Sequence, residues 1–305
     1  MHEAAAAGIE RPVFIVGTFR SGTTLLAELL GQSPSLCHCR FELKDLWSAA
    51  GGVRMASPKT RDLVCPECTA ADYRPASAAA LAAAFRTRME ACEGGAGGRV
   101  LLNKNPHLCN KLPLVDAMFP DGRFIWIHRD LPQVVASIRR LFADIERRQR
   151  TRHWWPLPAA GVRNRCWNAV HDDAAAREVE PARLFPGGDV IHIAEYWLET
   201  NRAVAEYVAR LPSCRHVELA EEDLLDDAAR ELDRIAGHLQ LIRPTWDLAS
   251  AAIDPARNRS WRDDLTGAEI AALADFVARR GSEIADIFRR CRGAPRGQAM
   301  QGAGA

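Results

Sequence analysis

The sequence has almost no imbalance of charge. Its 40 lysines and arginines stand against 39 aspartates and glutamates, a formal net charge of +1 at pH 7. No whole-protein field therefore draws it to nucleic acid or to a membrane surface, and any anion site has to be local. A long apolar run is also missing. The longest near-apolar stretch, residues 78–85, falls far short of the ~20 residues that span a bilayer. Residues 1–10 include Glu3 and Glu10 and lack both the basic start and the leucine-rich stretch of a secretory signal. These absences predict a soluble, cytoplasmic protein with no nucleic-acid or membrane partner, and they leave its oligomeric state open.

What is present is ordinary in amount. Hydrophobic residues make up 48% of 305 positions and charged residues 26%, enough to bury one large α/β core. Nine cysteines, an odd number without an export signal, read as reduced thiols. Cys65-Pro-Glu-Cys68 is the one metal-like spacing, with Cys37 and Cys39 as possible further ligands. A lone CxxC falls short of the four ligands of a structural zinc site, so a plain loop competes with zinc here and no metal is assigned.

Apolar runs and helical periodicity alternate along the chain. Pro12-Val-Phe-Ile-Val-Gly17 reads as a buried strand, and residues 23–30 as a helix with one apolar face. Residues 99–102, 123–127 and 216–219 are further strands. Helices are expected from Pro132 through Ile145, then over 194–211, 226–239 and 267–290. Such alternation predicts an α/β protein: a P-loop-type parallel sheet flanked by helices. Two stretches, about 54–98 and 147–188, break the rhythm and are expected as helical insertions over the active site. The first holds an alanine-rich helix at about 76–93. The second holds Trp154, Trp155 and a basic run from Arg147 to His153 suited to an aromatic or anionic acceptor. The expected organisation is one domain over 11–292, with disordered ends at 1–10 and 293–305.

Between the first strand and helix lies Gly17-Thr-Phe-Arg20-Ser21-Gly22-Thr23-Thr24. Glycines there permit a tight turn, and the free N–H groups of the helix point at an anion. The G-x-x-x-x-G spacing is that of a P-loop, yet Thr23 stands where a nucleoside triphosphatase has its lysine. The strand at 124–127 runs into His128-Arg129, where a magnesium-binding aspartate is common. Such a loop is ill suited to a γ-phosphate with Mg²⁺ and better suited to a phosphate next to a sulfonate, with Arg20 offering a planar fork to the sulfonate.

This segment resembles the 5′-phosphosulfate loop of the sulfotransferases that use 3′-phosphoadenosine 5′-phosphosulfate (PAPS), in the form found in the tyrosylprotein sulfotransferase branch and its bacterial relatives. The resemblance implies that Arg20, Ser21, Gly22, Thr23 and Thr24 bind the donor. It also implies that Arg129 and Ser137, eight residues apart, hold its 3′-phosphate, and that Lys104, in Asn103-Lys104-Asn105-Pro106, contacts the bridging oxygen. Asn105 replaces an aspartate of the related segment. Arg257, Arg259 and Ser260 form a looser basic match for the nucleotide. For the general base the resemblance favours Glu42, eight residues beyond Pro34 where relatives have seven, with His38 and His107 as alternatives. The implied reaction is in-line sulfuryl transfer from PAPS, with no metal required, to the hydroxyl of a small-molecule or peptide acceptor. A P-loop nucleotide kinase and a non-catalytic nucleotide-binding protein are the rival readings.

Overall fold

The structure is a computed structural model that describes residues 9–39, 41–53, 55, 67–92, 97–148, 152–153, 169–170, 189–251, 253–254 and 260–289. Its centre is a five-stranded sheet built from β1 (Val13–Val16), β2 (Leu36–His38), β3 (Val100–Lys104), β4 (Arg123–His128) and a fifth strand, His216–Ala220. The order is β2-β3-β1-β4 and then the fifth strand, with every pairing parallel. Parallel strands covered on both faces need apolar residues at every position, which is why the strands read as unbroken hydrophobic runs. Phe14, Val16, Phe124 and Trp126 enter one core cluster, while Val13, Ile15, Ile125 and Ile127 enter the other. Each fully buried side chain of this size contributes about 1.5–3 kcal/mol relative to exposure.

The second of these cores is closed by α1 (Thr23–Leu30) and later by a helix at Ala228–Leu239. The first core is closed by α2 (Lys44–Ala49), α3 (Pro75–Glu90), α4 (Leu112–Met118), α5 (Leu131–Arg148) and α6 (Val190–Val208). A two-stranded antiparallel ribbon of β5 (Arg152–His153) and β6 (Ala169–Val170) lies between α5 and α6 in the chain, so the fifth sheet strand is β7. It is followed by α7 (Glu221–Asp226), α8 (Ala228–Leu239), α9 (Trp261–Asp264) and α10 (Gly267–Arg289). Among the described residues no helix is long and apolar enough to cross a membrane.

The parallel α/β architecture agrees with the expectation from sequence, and several details differ. Residues 36–38, where no strand was expected, form the edge strand β2, with Leu36 and Cys37 buried. The helix expected over 226–239 starts afresh at Ala228, because the Asp227 side chain accepts a hydrogen bond from the Arg230 N–H and caps it. The alanine-rich helix α3 lies in the core: Leu81, Phe85 and Met89 are buried there, and the Phe85 ring meets Trp47 edge-on at 5.5 Å. Most of 147–188 lies outside the described residues.

From β1 the chain crosses to the far edge, returns through β3, and then builds β4 and β7 on the other side. The strand order therefore reverses at β1. The crevice outside the carboxyl ends of β1 and its neighbours is where open α/β sheets bind ligands.

Candidate active site

The loop after β1 is shaped by two glycines. A Cβ on Gly17 would fall 2.0 Å from the Ile127 carbonyl oxygen, so only a residue without a side chain lets β1 leave the sheet beside β4. Gly22 has φ of 78°, and a Cβ there would sit 2.8 Å from the Glu221 side chain. It is also the residue directly before α1, whose first-turn N–H groups have no intrahelical acceptor and carry the positive end of the helix dipole. The loop is pinned from behind: the Phe19 N–H donates to the Tyr196 hydroxyl at 3.0 Å, and the buried Ser21 hydroxyl pairs with that of Thr18.

Arg20 is not glycine, yet it too is left-handed, with φ of 70°. That conformation costs roughly 1–2 kcal/mol for an L-residue. It sends the side chain towards α5, where Nε donates to the Ser137 hydroxyl at 2.9 Å. Arg129, one residue past the carboxyl end of β4, donates from Nη1 to the Arg20 carbonyl at 3.3 Å and from Nε to Gln133 Oε1 at 2.8 Å. Its guanidinium pairs with Glu221, and the indole N–H of Trp197 holds its carbonyl at 2.8 Å. Arg20, Arg129 and Ser137 thus form one group.

A second group meets at the ends of β2 and β3. Lys104 is buried at the last position of β3, and its ammonium pairs with the Glu42 carboxylate. Burial pushes the Glu42 pKa up, but the Lys104 and Lys44 ammonium groups outweigh it and hold the carboxyl below its ordinary value. Burial pushes the Lys44 ammonium the other way, downward, against the pull of Glu42. Asn105 donates from Nδ2 to the Glu42 carbonyl at 3.0 Å, while its Oδ1 accepts from the His107 N–H at 3.0 Å. An ionised aspartate would only accept, whereas the amide both donates and accepts, so asparagine in its place ties the Glu42 loop to β3. Phe41 and Leu43, on either side of Glu42, are both left-handed, with φ of 74° and 53°.

Both groups open into one cavity of about 750 Å³. Arg20, Gly22, Thr23, Thr24, Glu42, Lys104, Arg129 and Ser137 all line it. Ser21 faces inward behind the loop. His107 is buried with its ring against Phe19, and His38 lies beneath Gly31; neither lines the cavity. Ser260 stands directly before α9, away from the cavity lining, and Arg257 and Arg259 lie outside the described residues, as does Cys65. Sequence reasoning missed Glu221, the partner of Arg129, and Lys44, the second ammonium near Glu42. It also missed Arg140, which lines the cavity one helical turn beyond Ser137. An i, i+3 step on α5 was the available signal for Arg140. Glu221 had none beyond an acidic turn after a strand.

The chain was compared with known proteins. The model of the Sulfotransferase family matches residues 12–193. No curated protein sequence matches. Among solved structures, a sulfotransferase from Alicyclobacillus acidocaldarius superposes with a TM-score of 0.55 at 13% identity, over 92% of this chain and 97% of that one. The sulfotransferase domain of the Synechococcus PCC 7002 olefin synthase aligns at 18% identity and a TM-score of 0.47, over 90% of this chain and 97% of that one. With a family match over more than half its length and a fold shared with a solved sulfotransferase, the chain belongs to the sulfotransferase family and is an enzyme of that family.

Proposed function

We propose that the protein transfers a sulfuryl group from PAPS to the hydroxyl of a small-molecule or peptide acceptor, a phenol or tyrosine among them. The observation that carries this reading is the convergence of two differently built groups on one cavity. The α1 N-terminus with Arg20, Arg129 and Ser137 suits the two phosphate-type ends of the nucleotide, and Lys104 with Glu42 suits the reacting centre. The donor set fits such a ligand, since four cations and a helix start face a single crevice whose Gly22 leaves room for close approach.

PAPS supplies the activated S–O bond. The first-turn N–H groups of α1 hold the 5′ end, and Arg129 with Ser137 holds the 3′-phosphate. In this reading the Lys104 ammonium stabilises the negative charge that gathers on the bridging oxygen as that bond breaks. The Glu42 carboxylate, kept ionised by its two lysine neighbours, accepts the acceptor's hydroxyl proton as that oxygen attacks sulfur in line. Adenosine 3′,5′-bisphosphate and the sulfate ester leave. On the sequence reading, a single domain over 11–292 would carry this out in the cytoplasm.

The test is incubation with PAPS and a panel of phenols, tyrosine peptides and sugars, followed by mass spectrometry of the acceptors. A sulfated product is expected. Adenosine 3′,5′-bisphosphate at about 100 times its dissociation constant should also stabilise the fold by about 2.7 kcal/mol. Stabilisation by ATP–Mg and not by the bisphosphate would point to a kinase instead. Bisphosphate binding with no product across the panel would point to a non-catalytic nucleotide-binding protein.

A further inference from the structure

Behind the Glu42 loop lies a cluster that the proposed reaction does not use. The Sγ atoms of Cys37, Cys39 and Cys92 all lie within 4.8 Å of one another, with Cys39 and Cys92 at 4.0 Å. Cys37 is in β2 and Cys39 is the residue just past its end; two positions apart, they point to the same face of the strand. Cys92 follows the end of α3, 53 residues from Cys39. His38, between the two strand cysteines, points the other way, under Gly31. The convergent set is therefore all sulfur.

We propose that Cys37, Cys39 and Cys92 form a trithiolate site for one soft metal ion of the zinc class. Thiolates sharing one ion at a Zn–S distance of about 2.3 Å stand roughly 3.8 Å apart when tetrahedral and about 4.0 Å when trigonal. The Cys39–Cys92 spacing matches this, and a disulfide would need about 2.05 Å. Cys37 and Cys39 are 1% exposed, so water does not compete for them, whereas Cys92 is half-buried and leaves a fourth position to a water or a small thiol. The Arg99 cation near Cys37 offsets the net negative charge of three thiolates on a divalent ion. Cys68 is no part of this set: among the described residues, the metal-capable group holds Cys37, Cys39 and Cys92 and excludes Cys68. Because Cys39 lies three residues before Glu42, the ion would anchor the root of that loop to α3.

The test is anaerobic titration of the reduced, chelator-stripped full chain with Co²⁺, followed by displacement with Zn²⁺. One equivalent with sulfur-to-cobalt charge-transfer absorption is expected, together with a rise in melting temperature on adding Zn²⁺. Cys92→Ser and Cys92→Ala should lose both signals, and Cys68→Ser should keep them. Absence of the absorption in the wild-type chain overturns the site, a readout that does not depend on any variant folding. So does retention of the band by Cys92→Ser or its loss in Cys68→Ser.

Discussion

Lys104 and Glu42, 62 residues apart in sequence, pair at the carboxyl ends of the adjacent strands β3 and β2. Each has a separate task in the proposed reaction, charge stabilisation for one and proton removal for the other. Glu42→Gln is expected to lower kcat by roughly 10²–10⁴-fold, and Lys104→Met by about 10²–10³-fold. Since the two act as a unit, the double variant should lose little more than the worse single one. Single-turnover sulfate transfer reads the rate, and bisphosphate titration should show nucleotide affinity nearly unchanged in Glu42→Gln. A comparable loss of nucleotide binding there would contradict its role as base.

Arg129 is tied to Glu221, Gln133 and the Arg20 carbonyl, so its fork is held before any ligand arrives. Truncating a hydrogen bond to a charged group costs about 1.5–3 kcal/mol. Arg129→Ala should therefore weaken adenosine 3′,5′-bisphosphate binding by roughly 10- to 150-fold, measured by calorimetry. Adenosine 5′-monophosphate, which lacks the 3′-phosphate, should lose much less.

The two lysines beside Glu42 set the acid side of the pH profile. They lower its pKa, so the base stays ionised as pH falls and kcat/KM should hold down to below the ordinary carboxylate value of about 4.3. Removing one cation raises that pKa, so Lys44→Met should move the acid limb to higher pH. An unmoved limb in Lys44→Met would show that some other group controls it.

Glu222 behaves in the opposite way. Burial, with the Asp130 carboxylate next in weight, pushes its pKa up to about 7, against the hydrogen bond it accepts from the Asp130 N–H at 3.0 Å. Its folded pKa lies above the unfolded one. Its contribution to stability is therefore fully present below the ordinary carboxylate value and is lost as pH rises through about 7. Glu222→Gln keeps the acceptor and removes the charge. Urea denaturation at several pH values should show a flatter profile for this variant and greater stability than the wild type on the alkaline side.

A methyl group at position 22 tests the shape of the donor loop. Gly22→Ala places an L-residue at φ of 78° and drives a Cβ against Glu221, the partner of Arg129. The backbone strain is roughly 1–2 kcal/mol, which should lower the melting temperature by about 2–6 °C. Nucleotide affinity should fall as well, because the displaced Glu221 no longer steadies Arg129.

The sheet was legible wherever its strands were long and apolar, and α1 and α5 wherever period 3.6 held. The edge strand β2 was hidden because only three residues follow Pro34 and Ser35, too few for any period to show. Helix α2 was hidden for a similar reason: six residues with no side-chain cap, entered through a left-handed Leu43. At the site, spacing pointed to the loop, and the family resemblance pointed to Lys104 and to the Arg129–Ser137 step. What could not be read was which of them touch. The bond from Arg20 to Ser137 spans 117 residues, and only the folded sheet brings its two ends together.

The close approach of Gly17 to Ile127 has a consequence for how such an enzyme can diverge. Positions 17 and 22 admit no side chain without displacing a carbonyl or Glu221. Phe41, by contrast, is 73% exposed beside Glu42. On the proposed reading, side chains as open as position 41 are free to vary without disturbing the core, while the loop that meets the donor stays locked in the backbone.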